Sequence, residues 1–284
     1  MDRRTFMLGA AAFCAACSRP GDETAAAGKP NAPPLGVQLY SVRGLMAEDV
    51  AATLDLVASV GFEEVEFAGY FEHSPAEMRA MLDAAGLAAP AAHIAKDLFD
   101  ADLDRLIAAA AEVGHQYVIV PWLKETERSL DDYRRHAEDF NRYGEACKAA
   151  GIGFAYHNHE WEFDESDGEI PYDLLLRETD PELVRMEMDL AWAVAGRADP
   201  VAYFNAWPGR FPMLHLKDLR AGEEADIGTG GIDFDAILAH ADLAGLKHGF
   251  VERDNAGDPA AALRVNHDAM RPIWTKHMAR ASAG

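Results

Sequence analysis

From Leu35 onward, short apolar runs alternate with longer stretches in which apolar residues return every three or four positions. Eight of the short runs read as strands: Gly36 to Ser41, Glu63 to Gly69, Ala88 to Ile94, Tyr117 to Trp122, Gly153 to Glu160, Val184 to Trp192, Phe211 to Asp218 and Gly249 to Asp254. The stretches between them read as helices. Val50, Leu54 and Val57 share one face, as do Leu103, Leu106, Ile107, Ala110 and Val113, and Ser129 with Asp132 opens a long helix to Ala150 in a capping-box arrangement. Glycines follow the last periodic residue at Val60-Gly61, Ala85-Gly86, Val113-Gly114, Ala150-Gly151 and Ala244-Gly245, where a left-handed residue stops a helix. Eight strands alternating with helices imply a parallel sheet, and eight is the number that closes into a (β/α)8 TIM barrel. A doubly wound open sheet is the alternative. The run Gly228-Thr229-Gly230-Gly231 does not open a helix after the first strand, so it is no dinucleotide fingerprint.

The first 34 residues stand outside that pattern. Asp2-Arg3-Arg4-Thr5-Phe6-Met7, followed by a weakly apolar run too short to span a bilayer, resembles a twin-arginine export signal. Cys14-Ala15-Ala16-Cys17 resembles a lipobox, with Cys17 the residue that would carry a lipid. A cut within Ala25-Ala26-Ala27 to release a free product is the alternative. Residues 1–17 are thus expected to be a signal, 18–34 a flexible tether and 35–284 one catalytic domain, exported to the periplasm and either free or lipid-anchored.

At 284 residues and 49% hydrophobic, the chain can bury a sizeable core. Its formal charge of −22 repels phosphate backbones and anionic membrane surfaces, which argues against nucleic acid as a partner and for small uncharged molecules. Beyond the leader only Cys147 remains, in a helical setting that suits a buried structural thiol and allows no internal disulfide.

The chemistry concentrates at strand ends. In Phe154-Ala155-Tyr156-His157-Asn158-His159-Glu160, strand alternation points His157 and His159 the same way and opposes Asn158. The following strands end in Asp189, His215 and Glu252, one βα unit apart each, so four consecutive strands would aim two imidazoles and two carboxylates at one mouth. His157, Asp189, His215 and Glu252 are therefore the expected ligands of one divalent ion, and the donor set suits Mn, Co, Zn, Fe or Mg. Lys217, on the face of His215, is a candidate oxyanion stabiliser or a barrel-lining partner of Glu187 or Asp189. Glu66, His93 and Glu160 are candidates to touch substrate hydroxyls, and Trp122, Trp161 and Trp192 to stack on a sugar face.

In order and spacing, Val37-Gln38-Leu39-Tyr40-Ser41, Glu64-Val65-Glu66-Phe67-Ala68-Gly69, Tyr156-His157-Asn158-His159, Glu187-Met188-Asp189-Leu190, His215-Leu216-Lys217-Asp218, Gly228-Thr229-Gly230-Gly231-Ile232-Asp233 and Val251-Glu252 resemble the sugar phosphate isomerase/epimerase family of xylose isomerase-like barrels. The resemblance implies a divalent cation at His157, Asp189, His215 and Glu252, a carbonyl sugar as substrate, and Glu252 as both ligand and proton carrier. It departs at His157, where ketose epimerases of the family carry a glutamate that moves a proton. Either His159, Glu160 or Lys217 replaces that group, or the reaction needs one base, as elimination beside a carbonyl does; exported relatives acting on 3-keto-sugars point the same way. Isomerisation or epimerisation is the first expectation and a one-base lyase on 3-keto-glycosides the second. A sugar-binding lipoprotein without catalysis and an abasic-site endonuclease on the same barrel are the remaining classes, and the charge opposes the last. An oligomer is compatible with all of them.

Overall fold

The computed structural model describes residues 33–281; the expected signal (1–17), and the expected tether apart from Pro33 and Pro34, lie outside the described residues. Eight parallel strands close a barrel: β1 (Gly36–Gln38), β2 (Glu64–Phe67), β3 (Ala88–His93), β4 (Tyr117–Val120), β5 (Gly153–His157), β6 (Val184–Asp189), β7 (Met213–Leu216) and, after a small antiparallel pair β8 (Asp218–Arg220) and β9 (Glu223–Ala225), β10 (His248–Val251). Closure rests on β1, which pairs with β2 on one side and β10 on the other, so the open-sheet alternative falls away. Each of the eight expected strands is present.

Several strands stop earlier than their apolar runs, because polar side chains at their ends capture the next backbone N–H groups and turn the chain. After β1, Gln38 Oε1 accepts from Tyr40 N at 2.9 Å and a 3₁₀ turn follows at Leu39–Val42. After β6, Asp189 Oδ1 accepts from Trp192 N at 2.9 Å and caps the helix Leu190–Ala195, so the run once read as strand to Trp192 is a helix from Leu190. After β5, Glu162 Oε2 accepts from His159 N at 2.6 Å at the start of a 3₁₀ helix over Glu160–Phe163. The β8–β9 pair was not foreseen. The Gly228 to Ile232 turn beside it wraps one carboxylate, that of Asp218, which accepts from the backbone of Gly228, Gly230 and Ile232.

Inside the barrel, Ala91, Tyr117, Ile119, Ala155, Met213 and Phe250 form a small apolar plug. Nearer the C-terminal ends of the strands the buried residues become polar: Gln38, Glu66, His157, Glu187, Asp189, His215 and Glu252. The larger core lies between the sheet and the helices. All five of the helix-stopping glycines named above have positive φ. Among the described residues, no helix is long and apolar enough to cross a membrane.

The helix Leu130–Ala149 starts on the expected Ser129–Asp132 capping box and buries Tyr133, Ala137, Phe140, Gly144 and Cys147. Burial pushes the Cys147 thiol up to about 12, which suits a structural residue. Gly144 lets this helix approach the chain entering β6: a Cβ there would sit 2.4 Å from the Leu183 carbonyl oxygen. Backbone cannot yield as a side chain end can. Gly144→Ala is therefore expected to destabilise the protein by about 1–3 kcal/mol, read as a lower urea midpoint; an unchanged midpoint would contradict the close approach.

Candidate active site and metal centre

The strand ends surround a cavity of about 620 Å³ whose polar lining is His93, His157, His159, Lys217, Glu252 and Asp254. Glu66, Glu187, Asp189 and His215 lie behind that lining, all fully buried. Burying so many carboxyls is unfavourable unless cations or hydrogen bonds compensate. The compensation centres on His215. Its Nδ1 is 2.7 Å from Glu252 Oε2, and its Nε2 is 2.6 Å from Glu66 Oε2 and 3.3 Å from Glu187 Oε2. Burial alone would favour the neutral ring, but Glu187, Glu252 and Glu66 hold His215 well above its ordinary pKa.

Two overlapping groups share His215, and in each the potential ligand atoms lie within 4.8 Å of one another: His93, His157, Glu187 and His215 in one, Asp189, His215 and Glu252 in the other. The four expected ligands thus divide, with His157 in the first group and Asp189 and Glu252 in the second. In the first, Glu187 Oε2 is 2.7 Å from His93 Nε2, 3.3 Å from His215 Nε2 and 3.4 Å from His157 Nδ1. These separations are close to the roughly 3.0–3.4 Å edges of a ligand cage around an ion at about 2.1 Å. His157 Nδ1 and Glu187 Oε1 are buried without a hydrogen-bond partner. Burial, then His215, lowers His157 to about 3, leaving a neutral imidazole able to ligate. Burial and the neighbouring Glu187 push Glu66 up to about 7. The residues present fit a divalent ion.

In the second group a cation is already built in. Lys217 Nζ lies 2.9 Å from Glu252 Oε2, 3.3 Å from Asp189 Oδ2 and 2.8 Å from Asp254 Oδ2. Of the two partners foreseen for Lys217, Asp189 is the one it meets. Although burial opposes it, Lys217 and His215 hold Glu252 well below the usual carboxylate range. Asp254 goes the other way, pushed up to about 8 by burial and then by Glu252. The two carboxyls, side by side against Lys217, are thus shifted in opposite directions.

The β5 wall is different. His157 and His159 do meet, ring centroids 5.2 Å apart, while Asn158 turns away to exchange hydrogen bonds with the Asp189 backbone. His159 stacks on Trp161 at 4.3 Å and on Trp192 at 5.9 Å. Burial, then His157 and Lys217, drive it down to about 2. Trp122 and Trp192 line the cavity. Glu160 and Glu66 do not: Glu160 has entered the 3₁₀ helix, and Glu66 is buried between Gln38 and His215. Glu187 and Asp254 are site residues the strand-end reading missed as such. Glu187 precedes Asp189 by two and so shares its face of β6, a signal present in the alternation.

A barrel with metal-competent side chains and an acid–base wall at the C-terminal ends of its strands defines a class of enzyme. The chain belongs to the xylose isomerase-like TIM barrel family, whose profile matches residues 54–271. It is similar to the inosose dehydratase of Lacticaseibacillus casei, 29% identical over 119 residues covering 42% of this chain; the chain spans 37% of that relative's length. A solved sugar phosphate isomerase/epimerase from Parabacteroides distasonis superposes with a TM-score of 0.76 at 26% identity, covering 90% of this chain and 99% of the other. The IolI protein, solved with a bound zinc atom, shares the fold at 13% identity and a TM-score of 0.70, over 86% of this chain and 99% of its own.

Glu162 supports the site from below, accepting from Tyr156 Oη at 2.6 Å and from His159 N at 2.6 Å. Burial pushes it up to about 7 despite those donors. Between its ordinary value near 4.5 and about 7 the folded chain holds a proton that the unfolded chain has released, so stability falls as pH rises across that window. Glu162→Gln, which cannot titrate, is expected to lose less melting temperature than the parent between pH 4.5 and 7.5. Equal losses would contradict the raised carboxyl.

Proposed function

We propose that the protein is a divalent-metal-dependent enzyme that removes a proton beside the carbonyl of a polyhydroxylated ring ketone or keto-sugar and completes the reaction by elimination, as a lyase of the dehydratase type. The observation that carries this reading is the grouping of proton carriers: Lys217, Glu252 and Asp254 are in mutual contact in one wall, whereas the His159 ring is stacked on Trp161 and Trp192 and kept neutral by burial. Epimerisation needs a carrier on each face of the reacting carbon; elimination needs one wall. The inosose dehydratase likeness supports the same choice.

The ion is assigned to His93, His157, Glu187 and His215, because the ammonium of Lys217 already pairs with both Asp189 and Glu252. When bound there it supplies Lewis acidity toward a substrate carbonyl oxygen. Glu252, kept ionised, takes the proton from the carbon next to the carbonyl. Lys217, fixed by Asp189, Glu252 and Asp254, offers its charge to the oxygen that becomes anionic. The C–H electrons form the C=C bond, the bond to the neighbouring carbon's oxygen breaks, and that oxygen leaves with the proton of Asp254. Glu252 ends protonated and Asp254 ionised, and the proton passes back through the hydrogen bonds both make to Lys217 or through solvent.

Incubating the metal-loaded protein with an inosose and with a 3-keto-glycoside in deuterated water, and following products by NMR, separates the outcomes. Loss of water or of the glycosidic substituent is expected. An intact, deuterated epimer would replace the lyase by an isomerase, and no change in either ketone would overturn both. Glu252→Gln is expected to lower kcat by at least about 10²-fold with its melting temperature kept; full turnover would remove Glu252 as the base.

A further inference from the structure

The cavity lining is polar toward the ends of β5, β7 and β10 and mostly apolar along the segments that follow β3 and β4. Among the described residues the exposed large hydrophobics are Tyr40, Leu98, Trp122, Val194 and Val265, and the first three line this cavity, at 45%, 57% and 46% exposure. Beside Leu98 and Trp122 the lining is Ile94, Ala95 and Pro121, whose side chains offer no hydrogen bond, and the loop after β2 adds Ala68, Gly69 and Tyr70. Both rim aromatics are braced. The Arg43 guanidinium lies 4.2 Å from the Tyr40 ring centroid and donates to the carbonyls of Tyr40 and Asp254 at 2.9 and 2.7 Å. The Arg128 guanidinium lies between two tryptophans, 5.4 Å from the centroid of Trp122 and 3.6 Å from that of Trp161, and donates twice to the Leu123 carbonyl. Each arginine covers an aromatic ring and is anchored to backbone carbonyls.

Water-exposed aromatic surface is unfavourable, and bracing removes the freedom by which such rings usually hide it. Leu98 and Trp122, on the neighbouring segments after β3 and β4, together with Tyr40 on the same cavity, mark a binding surface. We infer that the substrate carries, beside the polar ring that reaches Lys217 and Glu252, a flat aromatic substituent that seats on Tyr40, Leu98 and Trp122. A second sugar ring would bring hydroxyls that Leu98, Ile94, Ala95 and Pro121 cannot satisfy; an aromatic ring brings none. Arg43 ties Tyr40 to the polar side, since it braces that ring and holds the backbone of Asp254. This inference rests on the ring-ketone reading and names its substrate class.

The probes are phenyl β-D-glucopyranoside and methyl β-D-glucopyranoside, titrated calorimetrically into the full chain without turnover. Phenyl is expected to bind at least about tenfold more tightly, as one buried aromatic contact supplies. In Trp122→Ala and Leu98→Ala, both at exposed positions that the fold does not need, the preference is expected to shrink to about threefold or less. Equal affinities, no saturable binding of the phenyl compound, or an undiminished preference in both variants would overturn the inference. Phenyl preference without reaction of any ketone would fell the lyase reading alone; ketone elimination without phenyl preference would fell this one alone.

Discussion

Compensating buried negative charge is the constraint on which the working end of this barrel depends. Glu66, Glu187, Asp189 and Glu252 have no useful contact with water, and an unpaired buried carboxylate is too costly to keep ionised. His215 and Lys217 supply the compensation within the chain, one touching Glu66, Glu187 and Glu252, the other Asp189, Glu252 and Asp254. Because both sit at the end of β7 or just past it, that strand's register decides the charge balance of the whole mouth. The pairing Asp189↔His215 on one side and Phe250↔His215 on the other fixes it.

The same compensation divides the chemistry. Where an ammonium holds the carboxylates, one is kept ionised and its neighbour protonated, and the wall can both take and give a proton. Of the imidazoles around Glu187, burial keeps His157 neutral and ready to ligate, while the carboxylates favour a proton on His93 and His215 that an arriving ion would displace. The apolar plug below and the burial of these groups lower the local dielectric, which strengthens each interaction.

Much of this was legible in the chain. Eight strands, the glycine stops, the Ser129 cap and the clustering of His157, Asp189, His215 and Glu252 about one mouth follow from periodicity and spacing, because backbone geometry is local and βα units repeat. What periodicity could not supply was distance across the barrel. Whether His157 shares an ion with Asp189 or with Glu187 depends on a few ångströms set by side-chain direction, and Glu187 reads in sequence as one more inward residue of a strand. Strand ends were overread for a physical reason: Gln38, Asp189 and Glu162 bond to backbone N–H groups and turn the chain while the apolar run continues. Asp254 lay past the last apolar residue, and only its shared contact with Lys217 gives it a role.

The claim that His93, His157, Glu187 and His215 share one divalent ion is tested most directly by stripping the protein with a chelator, loading it with Co²⁺, and recording stoichiometry and the visible absorption of the bound ion. The account predicts one ion per chain, with affinity weakened about tenfold or more by Glu187→Gln and largely kept by Asp189→Asn. Loss of the ion in Asp189→Asn with retention in Glu187→Gln, or no stoichiometric ion in the parent protein, would contradict it.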